Sequence, residues 1–98
     1  MLLRPTIDDL MDQMPNGPTI DRILNSARTV DGVLDLEKLR VRKFVTEYFV
    51  DLHVQADETL SLREAHILSG TVKGAIRAAV PDVTGVLIHR ESYLGPRA

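Results

Sequence analysis

The sequence contains no cysteine among its 98 residues. This absence excludes disulfide bonds, a thiolate nucleophile and any zinc or iron–sulfur site that is held by cysteine. A metal bound by this chain must therefore use histidine nitrogen and carboxylate oxygen. That donor set suits zinc, manganese, iron, cobalt or nickel better than Cu(I).

Aromatic residues are also scarce, at 4% of the chain, whereas apolar residues make up 44%. The core must therefore be aliphatic, and a chain of this length predicts one small domain. No apolar run approaches the roughly 20 residues of a membrane span. Met1–Arg4 is too short for a signal peptide, so the sequence taken alone predicts a soluble chain. The formal net charge of −2 gives no general attraction to nucleic acid, which we do not expect as a partner.

Catalytic motifs are missing from the sequence. There is no glycine-rich phosphate loop, no nucleophile elbow and no helical His-Glu-x-x-His motif. Ser61 is needed as a helix cap, and no histidine has an evident serine partner. The sequence therefore predicts a protein that is not an enzyme and that has no small-molecule substrate.

The first third of the chain predicts a connector followed by a helix. Residues 1–18 form the connector, which ends at Pro15-Asn16-Gly17-Pro18, a run that we expect to break the chain. The helix is predicted to start at Thr19 as its N-cap and to stop near Val30-Asp31-Gly32, where glycine supplies a positive φ. Its apolar stripe consists of Ile20, Ile23, Leu24 and Ala27.

Two strands are predicted after this helix. The first covers residues 33–43, and its apolar phase changes near Glu37-Lys38, which predicts a bulge there. The second covers residues 47–57 and alternates strictly between apolar and polar side chains. Such alternation indicates that one face packs on the core and the other faces water or a partner.

A capped helix and a last strand complete the predicted fold. Ser61 and Glu64 form a capping box for a helix that runs to about Val80, and the last strand covers residues 83–91. The order is helix, strand, strand, helix, strand. It predicts an α+β domain with both helices on one face of a three-stranded sheet.

Two histidine–carboxylate pairs occupy the outward phase of the predicted strands. Asp51 and His53 are two residues apart on the second strand, as are His89 and Glu91 on the third, so each pair spans about 7 Å. Two such pairs, within one chain or across a dimer, are enough for a metal site. Polar residues are also the ordinary composition of an exposed sheet face, so spacing alone leaves both interpretations open. His66, on the second helix, is predicted to be a partly exposed surface histidine.

Five segments of the sequence stand in a characteristic order and spacing. They are Val30-Asp31-Gly32-Val33, Leu39-Arg40-Val41-Arg42-Lys43, Tyr48-Phe49-Val50-Asp51-Leu52-His53-Val54, Leu60-Ser61-Leu62-Arg63-Glu64-Ala65-His66 and Val86-Leu87-Ile88-His89-Arg90-Glu91. Together they resemble the cytosolic C-terminal domain of cation diffusion facilitators, which are proton-coupled divalent-metal transporters. Leu10-Met11-Asp12 resembles the segment that leaves the last membrane helix of such transporters.

The resemblance implies a ferredoxin-like fold, similar to copper metallochaperones, and a V-shaped homodimer. The dimer lies on the cytoplasmic face of a membrane, beneath the transmembrane domain of the parent transporter. The chain then divides into a connector at residues 1–18, the family domain at 19–92 and a tail at 93–98. The site of the transported ion belongs to membrane helices outside this chain.

The resemblance also implies a regulatory metal, often zinc, whose binding draws the two lobes together. Three histidines match ligand histidines of the family, namely His53, His66 and His89. Glu91 stands in place of a ligand aspartate, and Asp51 matches a carboxylate ligand of some subgroups. Glu37 stands at a further histidine position, and this departure disfavours a complete binuclear zinc cluster.

The sequence therefore predicts a metal-sensing, dimerising regulatory domain of a divalent-cation efflux transporter. Zinc is the expected ion, with iron, manganese, cobalt or nickel as other candidates. Two alternatives stay open, a purely structural dimerisation module and a free-standing metal-binding chaperone. The chaperone is disfavoured because the exposed Met/Cys pair that soft-metal carriers use is missing.

Overall fold

The computed structural model describes residues 15–95. In chain order they form helix α1 (Gly17–Arg28), strands β1 (Asp35–Phe44) and β2 (Glu47–Ala56), helix α2 (Leu62–Ala79) and strand β3 (Val83–Ser92). The middle strand of the sheet is β2, which runs antiparallel to β1 and parallel to β3. The predicted α+β class and the order of its elements are confirmed.

Helix α1 begins earlier than the sequence pattern predicts. Its N-cap is Asn16 and not Thr19, because the Asn16 side-chain oxygen accepts a hydrogen bond from the Thr19 backbone N–H at 2.9 Å. Pro18 stands in the first turn, where a missing N–H removes no helical hydrogen bond. The Pro-Asn-Gly-Pro run therefore supplies the start of this helix, and the stretch that it was predicted to separate from the helix lies outside the described residues.

Strand β1 contains the predicted bulge. Its register against β2 shifts between Glu37 and Arg40, and Lys38 adopts a φ of +55°. The extra residue reverses the phase of the strand. As a result, Leu36 before the bulge and Val41 after it both pack against the core.

The capping box of helix α2 is present as predicted. The Ser61 hydroxyl accepts a hydrogen bond from the Glu64 backbone N–H at 3.0 Å, and the Ser61 N–H donates to the Glu64 carboxylate at 2.9 Å. The helix ends at Ala79, just before Pro81. No helix within residues 15–95 is long and apolar enough to cross a lipid bilayer.

The core is aliphatic and lies between the two helices and one face of the sheet. Every second residue of β2 is buried there, whereas the residues between them reach the opposite face. Both helices thus cover the same face and leave the outer face of the sheet uncovered. The fully buried large side chains are Ile23, Val41, Leu52, Val54, Val72 and Ile76.

The domain limits drawn from the sequence remain a prediction. The part of the connector before Pro15, including Leu10-Met11-Asp12, lies outside the described residues, as do residues 96–98. Within the described part of the chain, secondary structure extends from Gly17 to Ser92.

Candidate metal centre

The outer face of the sheet aligns the histidines of neighbouring strands. In the register of the sheet, Glu37 on β1 stands opposite His53 on β2, and His53 stands opposite His89 on β3. Asp51 precedes His53 by two residues and therefore points to the same face. The alternation seen in the sequence and the bulge in β1 together place these four side chains in one neighbourhood.

The rings of His53 and His89 stack on each other across the two parallel strands. Their centroids are 4.4 Å apart and their planes differ by 14°. The His89 Nε2 atom lies 2.6 Å from Oδ1 of Asp51. One ligating atom each from Asp51, His53 and His89 lies within 4.8 Å of the other two, which is close enough for a single cation to contact all three.

Two facing atoms of this cluster lack a hydrogen bond. Asp51 Oδ1 and His89 Nε2 are both buried, lie 2.6 Å apart and have no hydrogen-bond partner within residues 15–95. Buried polar atoms are normally paired, so an unpaired couple calls for an explanation. A divalent cation provides one, because imidazole nitrogen and carboxylate oxygen are its common ligands.

The second carboxylate, Glu91, contacts His53. Its Oε2 atom lies 2.5 Å from Nδ1 of His53, and both side chains are partly buried. The hydrogen bond from His53 is the main cause that lowers the pKa of Glu91 below its ordinary value, against a smaller opposing effect of burial. The charge of Lys38 and a hydrogen bond from Gln55 lower it further. Glu91 is thus held as a carboxylate.

The remaining predicted ligands take different places. Glu37 accepts a hydrogen bond of 2.6 Å from the Gln55 side-chain nitrogen and stands beside the cluster. His66 is exposed on α2 and does not belong to the cluster formed by Asp51, His53 and His89 among the described residues. Gln55 was not singled out from the sequence, although its outward phase on β2 was visible. The side chain of Gln55 is a neutral amide, which does not indicate a metal site in a sequence. Its contact with Glu37 becomes visible only when the strands are paired.

Apolar side chains lie on the same outer face, next to the cluster. Phe49 and Leu87 are 42% and 56% exposed. They line a shallow depression together with Arg40, Arg42 and Asp51. The cluster of Asp51, His53 and His89 therefore borders an uncovered apolar area on this side of the sheet.

Comparison with known proteins gives one family. Residues 15–93 match the family described as "Cation efflux protein, cytoplasmic domain". The cation-efflux pump FieF of Shewanella oneidensis is 34% identical over 86 residues, which cover 88% of this chain and 29% of the pump. The manganese efflux system protein MneP of Bacillus subtilis is 25% identical over 92 residues, which cover 94% of this chain and 31% of that protein. The chain thus spans less than a third of each of these relatives.

Solved structures agree on the fold. MamM-CTD superimposes with a TM-score of 0.74 at 21% identity, over 78% of this chain and 96% of that one. A nickel form of a MamM CTD variant gives a TM-score of 0.76 at 19% identity, over 80% of this chain and 99% of that one. A cadmium form of another variant gives 0.75 at 19% identity, over 79% and 96%.

The fold, the cluster on the outer sheet face and the match over residues 15–93 lead to the same conclusion. The chain belongs to the cation efflux protein family, and these residues form the cytoplasmic domain of that family.

Proposed function

We propose that this domain senses a divalent cation and regulates, as a homodimer, the transporter of which it is part. The observation that carries the proposal is the group formed by Asp51, His53 and His89, whose ligating atoms lie within 4.8 Å of one another. The domain holds a regulatory ion, and the ion that is moved across the membrane passes through the transmembrane part of the parent. The role is regulation and not catalysis.

The ion is a borderline divalent cation, and zinc fits best. Three ligands of the His/carboxylate type leave a fourth position open, as zinc tolerates in tetrahedral sites. The nickel and cadmium forms of MamM CTD variants, which share the fold, support this class of ion. Because the ligands must be deprotonated, binding releases protons and weakens in acid. The relatives FieF and MneP, named as efflux proteins, support a parent that expels cations. We further propose that the parent does so in exchange for protons, as the family resemblance implies.

The exposed apolar area supports association of two copies. Phe49 and Leu87 lie on the sheet face that the helices leave uncovered, and burial of such side chains favours dimer formation. The metal cluster lies on the same face. A cation that completes its coordination with groups from both copies binds the closed dimer more tightly than the open one, and so shifts the equilibrium toward closure. The dimer stands on the cytoplasmic face of the membrane.

Metal titration of the domain tests the proposal. We expect zinc to bind the natural chain, and to bind the double variant His53→Ala/His89→Ala at least about tenfold more weakly. Mutation of a group that only supports a ligand already lowers metal affinity by about this factor, and removal of the ligands themselves should lower it at least as much. Calorimetry measures the affinity. The comparison variant is His66→Ala, which removes an exposed imidazole outside the cluster and should weaken zinc binding less than the double variant does.

The other outcomes are informative. A dimer that binds no zinc at all would identify a purely structural dimerisation module. A monomer that binds zinc and passes it to a second chelator would identify a free-standing metal carrier. Unchanged binding in the double variant would contradict the assignment of the cluster.

A further inference from the structure

We propose that Glu91 orients the His53 ring for metal binding and is not itself a metal ligand. The inference rests on the proposed function, because it concerns the same centre. It departs from what the family resemblance implies, namely a ligand carboxylate at this position. Asp51 takes that role instead.

The first argument concerns the His53 ring. A neutral imidazole carries one N–H and one lone pair, on different nitrogens. The Nδ1 atom of His53 lies 2.5 Å from the Glu91 carboxylate, so the proton belongs on Nδ1 and the lone pair on Nε2. A histidine that binds metal commonly donates its second N–H to a carboxylate in this way. Glu91 therefore selects the tautomer and fixes the orientation of the ring.

The second argument compares the two carboxylates. The group of ligating atoms that lie within 4.8 Å of one another contains Asp51 and, among the described residues, does not contain Glu91. Asp51 Oδ1 is buried without a hydrogen bond, whereas Glu91 Oε2 is already bound by His53. The carboxylate placed to share a cation with both histidines is thus Asp51, whereas Glu91 is engaged with the Nδ1 side of His53.

The third argument is the surroundings of Glu91. Gln55 stands opposite Glu91 in the sheet register, and its side-chain nitrogen donates to Glu37 at 2.6 Å. The bulge in β1 places Glu37 and Lys38 beside this pair. Glu37, Gln55 and Glu91 thus form an outer layer around the histidines, and the loss of such supporting groups is known to weaken metal sites.

One pair of variants with the same chemical change separates the two roles. Glu91→Gln keeps an oxygen that accepts the His53 N–H, but it removes the charge that a ligand needs. Asp51→Asn makes the same change inside the cluster. We expect Glu91→Ala to weaken zinc binding about 10- to 100-fold. Glu91→Gln should weaken it less than Glu91→Ala does, and Asp51→Asn at least as much as Glu91→Ala.

Calorimetric zinc affinities decide between these outcomes. The proposal is overturned if Glu91→Gln binds zinc as weakly as Glu91→Ala, because the charge of Glu91 would then matter by itself. It is also overturned if Asp51→Asn binds like the natural chain, or if Glu91→Ala has no effect. Backbone amide spectra of each variant verify that the fold is intact before affinities are compared.

A second measurement needs no metal. The nitrogen chemical shifts of His53 at neutral pH report which ring nitrogen carries the proton. We expect the Nδ1–H form in the metal-free natural chain and in Glu91→Gln, and a mixture of tautomers in Glu91→Ala. A natural chain in the Nε2–H form would overturn the proposal. If zinc binds no form of the chain, the proposed function fails, while the tautomer still reports on the His53–Glu91 contact.

Discussion

Gly32 and Gly70 differ in what a side chain at each position would meet. Gly32, in the turn between α1 and β1, has a φ of +100°, and an added Cβ would lie 3.4 Å from Cδ1 of Leu68. Gly70 lies within α2, where an added Cβ would have no neighbour within 4 Å. The turn at Gly32 leads directly into β1 and its bulge. Its conformation therefore affects the strand that carries Glu37.

We expect alanine to have opposite effects at these two glycines. Gly32→Ala should lower the free energy of unfolding by more than about 1 kcal/mol, because alanine does not fit a positive φ. Gly70→Ala, the matched control, should raise it by about 0.5–1 kcal/mol, since alanine is the better helix former. Urea unfolding followed by circular dichroism measures both. If the Gly32→Ala variant is as stable as the natural chain, the inference that this turn requires glycine is contradicted.

The first turn of helix α2 carries a capping box that stabilises the start of the helix. Ser61 and Glu64 exchange two hydrogen bonds there and satisfy amides that the helix leaves free. The helix then spans the core face and connects β2 to β3, the two strands that carry His53 and His89. The parallel pairing of these strands requires such a crossover. Fraying of α2 would therefore loosen the histidine pair.

Loss of the Ser61 cap should destabilise the domain. We expect Ser61→Ala to lower the free energy of unfolding by about 1 kcal/mol, the usual effect of removing a serine N-cap. The measurement is urea unfolding at neutral pH. No change in the unfolding midpoint would show that packing, and not the cap, holds the start of α2.

The stability that the capping box contributes to the fold depends on pH, because the box contains the carboxylate of Glu64. The backbone hydrogen bond from Ser61 is the main cause that lowers the pKa of Glu64 below its ordinary 4.5. A lowered pKa in the folded state stabilises the fold above the ordinary value, and this stabilisation is lost as the pH falls through the lowered value. Glu64→Gln keeps the acceptor but does not titrate. Its deficit against the natural chain should thus shrink below pH 4.5, and a constant deficit would contradict this assignment.

At the scale of the whole molecule, the hydrophobic core and the cluster of Asp51, His53 and His89 lie on opposite faces of the sheet. The helices and the buried side chains form one core, and the longest connection between described elements is short. The cluster and the apolar side chains Phe49 and Leu87 lie on the open face. We therefore expect a cation to change the relation between two copies more than the structure of each copy.

Distances between spin labels test this expectation. The chain has no cysteine, so Asp21→Cys on the exposed surface of α1 carries a single label per protomer. We expect a dimer in chelator, and a shorter, narrower label distance with zinc. A coupling of about 1–3 kcal/mol would shift the open and closed populations by roughly 5- to 150-fold.

The control for this measurement is the same label in the His53→Ala/His89→Ala background, which should not respond to zinc. Sedimentation in chelator establishes the dimer first. A monomer there would contradict the role given to the outer face. If the distance between the labels is the same at saturating zinc as in chelator, metal-driven closure is contradicted and a static dimerisation module is favoured.

The sequence by itself determined the elements and the faces of this protein, because both follow from local periodicity. The alternation in β2 was enough to place Asp51 and His53 away from the core, and the phase change at Glu37-Lys38 was enough to predict the bulge. The start of α1 was predicted wrongly, since Asn16 can cap a helix or end a segment, and only the contact with the Thr19 N–H distinguishes the two.

Tertiary structure decided which of these residues meet. The parallel register of β2 and β3 brings His53 opposite His89, and no local pattern specifies a register between strands separated by a helix. The same register brings Glu91 into contact with His53, and Asp51 into contact with His89. The sequence could not reveal these contacts between strands, because its spacing only paired Asp51 with His53 and His89 with Glu91. His66 shares a residue type with the cluster but lies on a helix that covers the opposite face of the sheet. Sequence thus supplies the ligand types, and strand pairing selects among them, because coordination depends on distances that arise only when remote segments pack together.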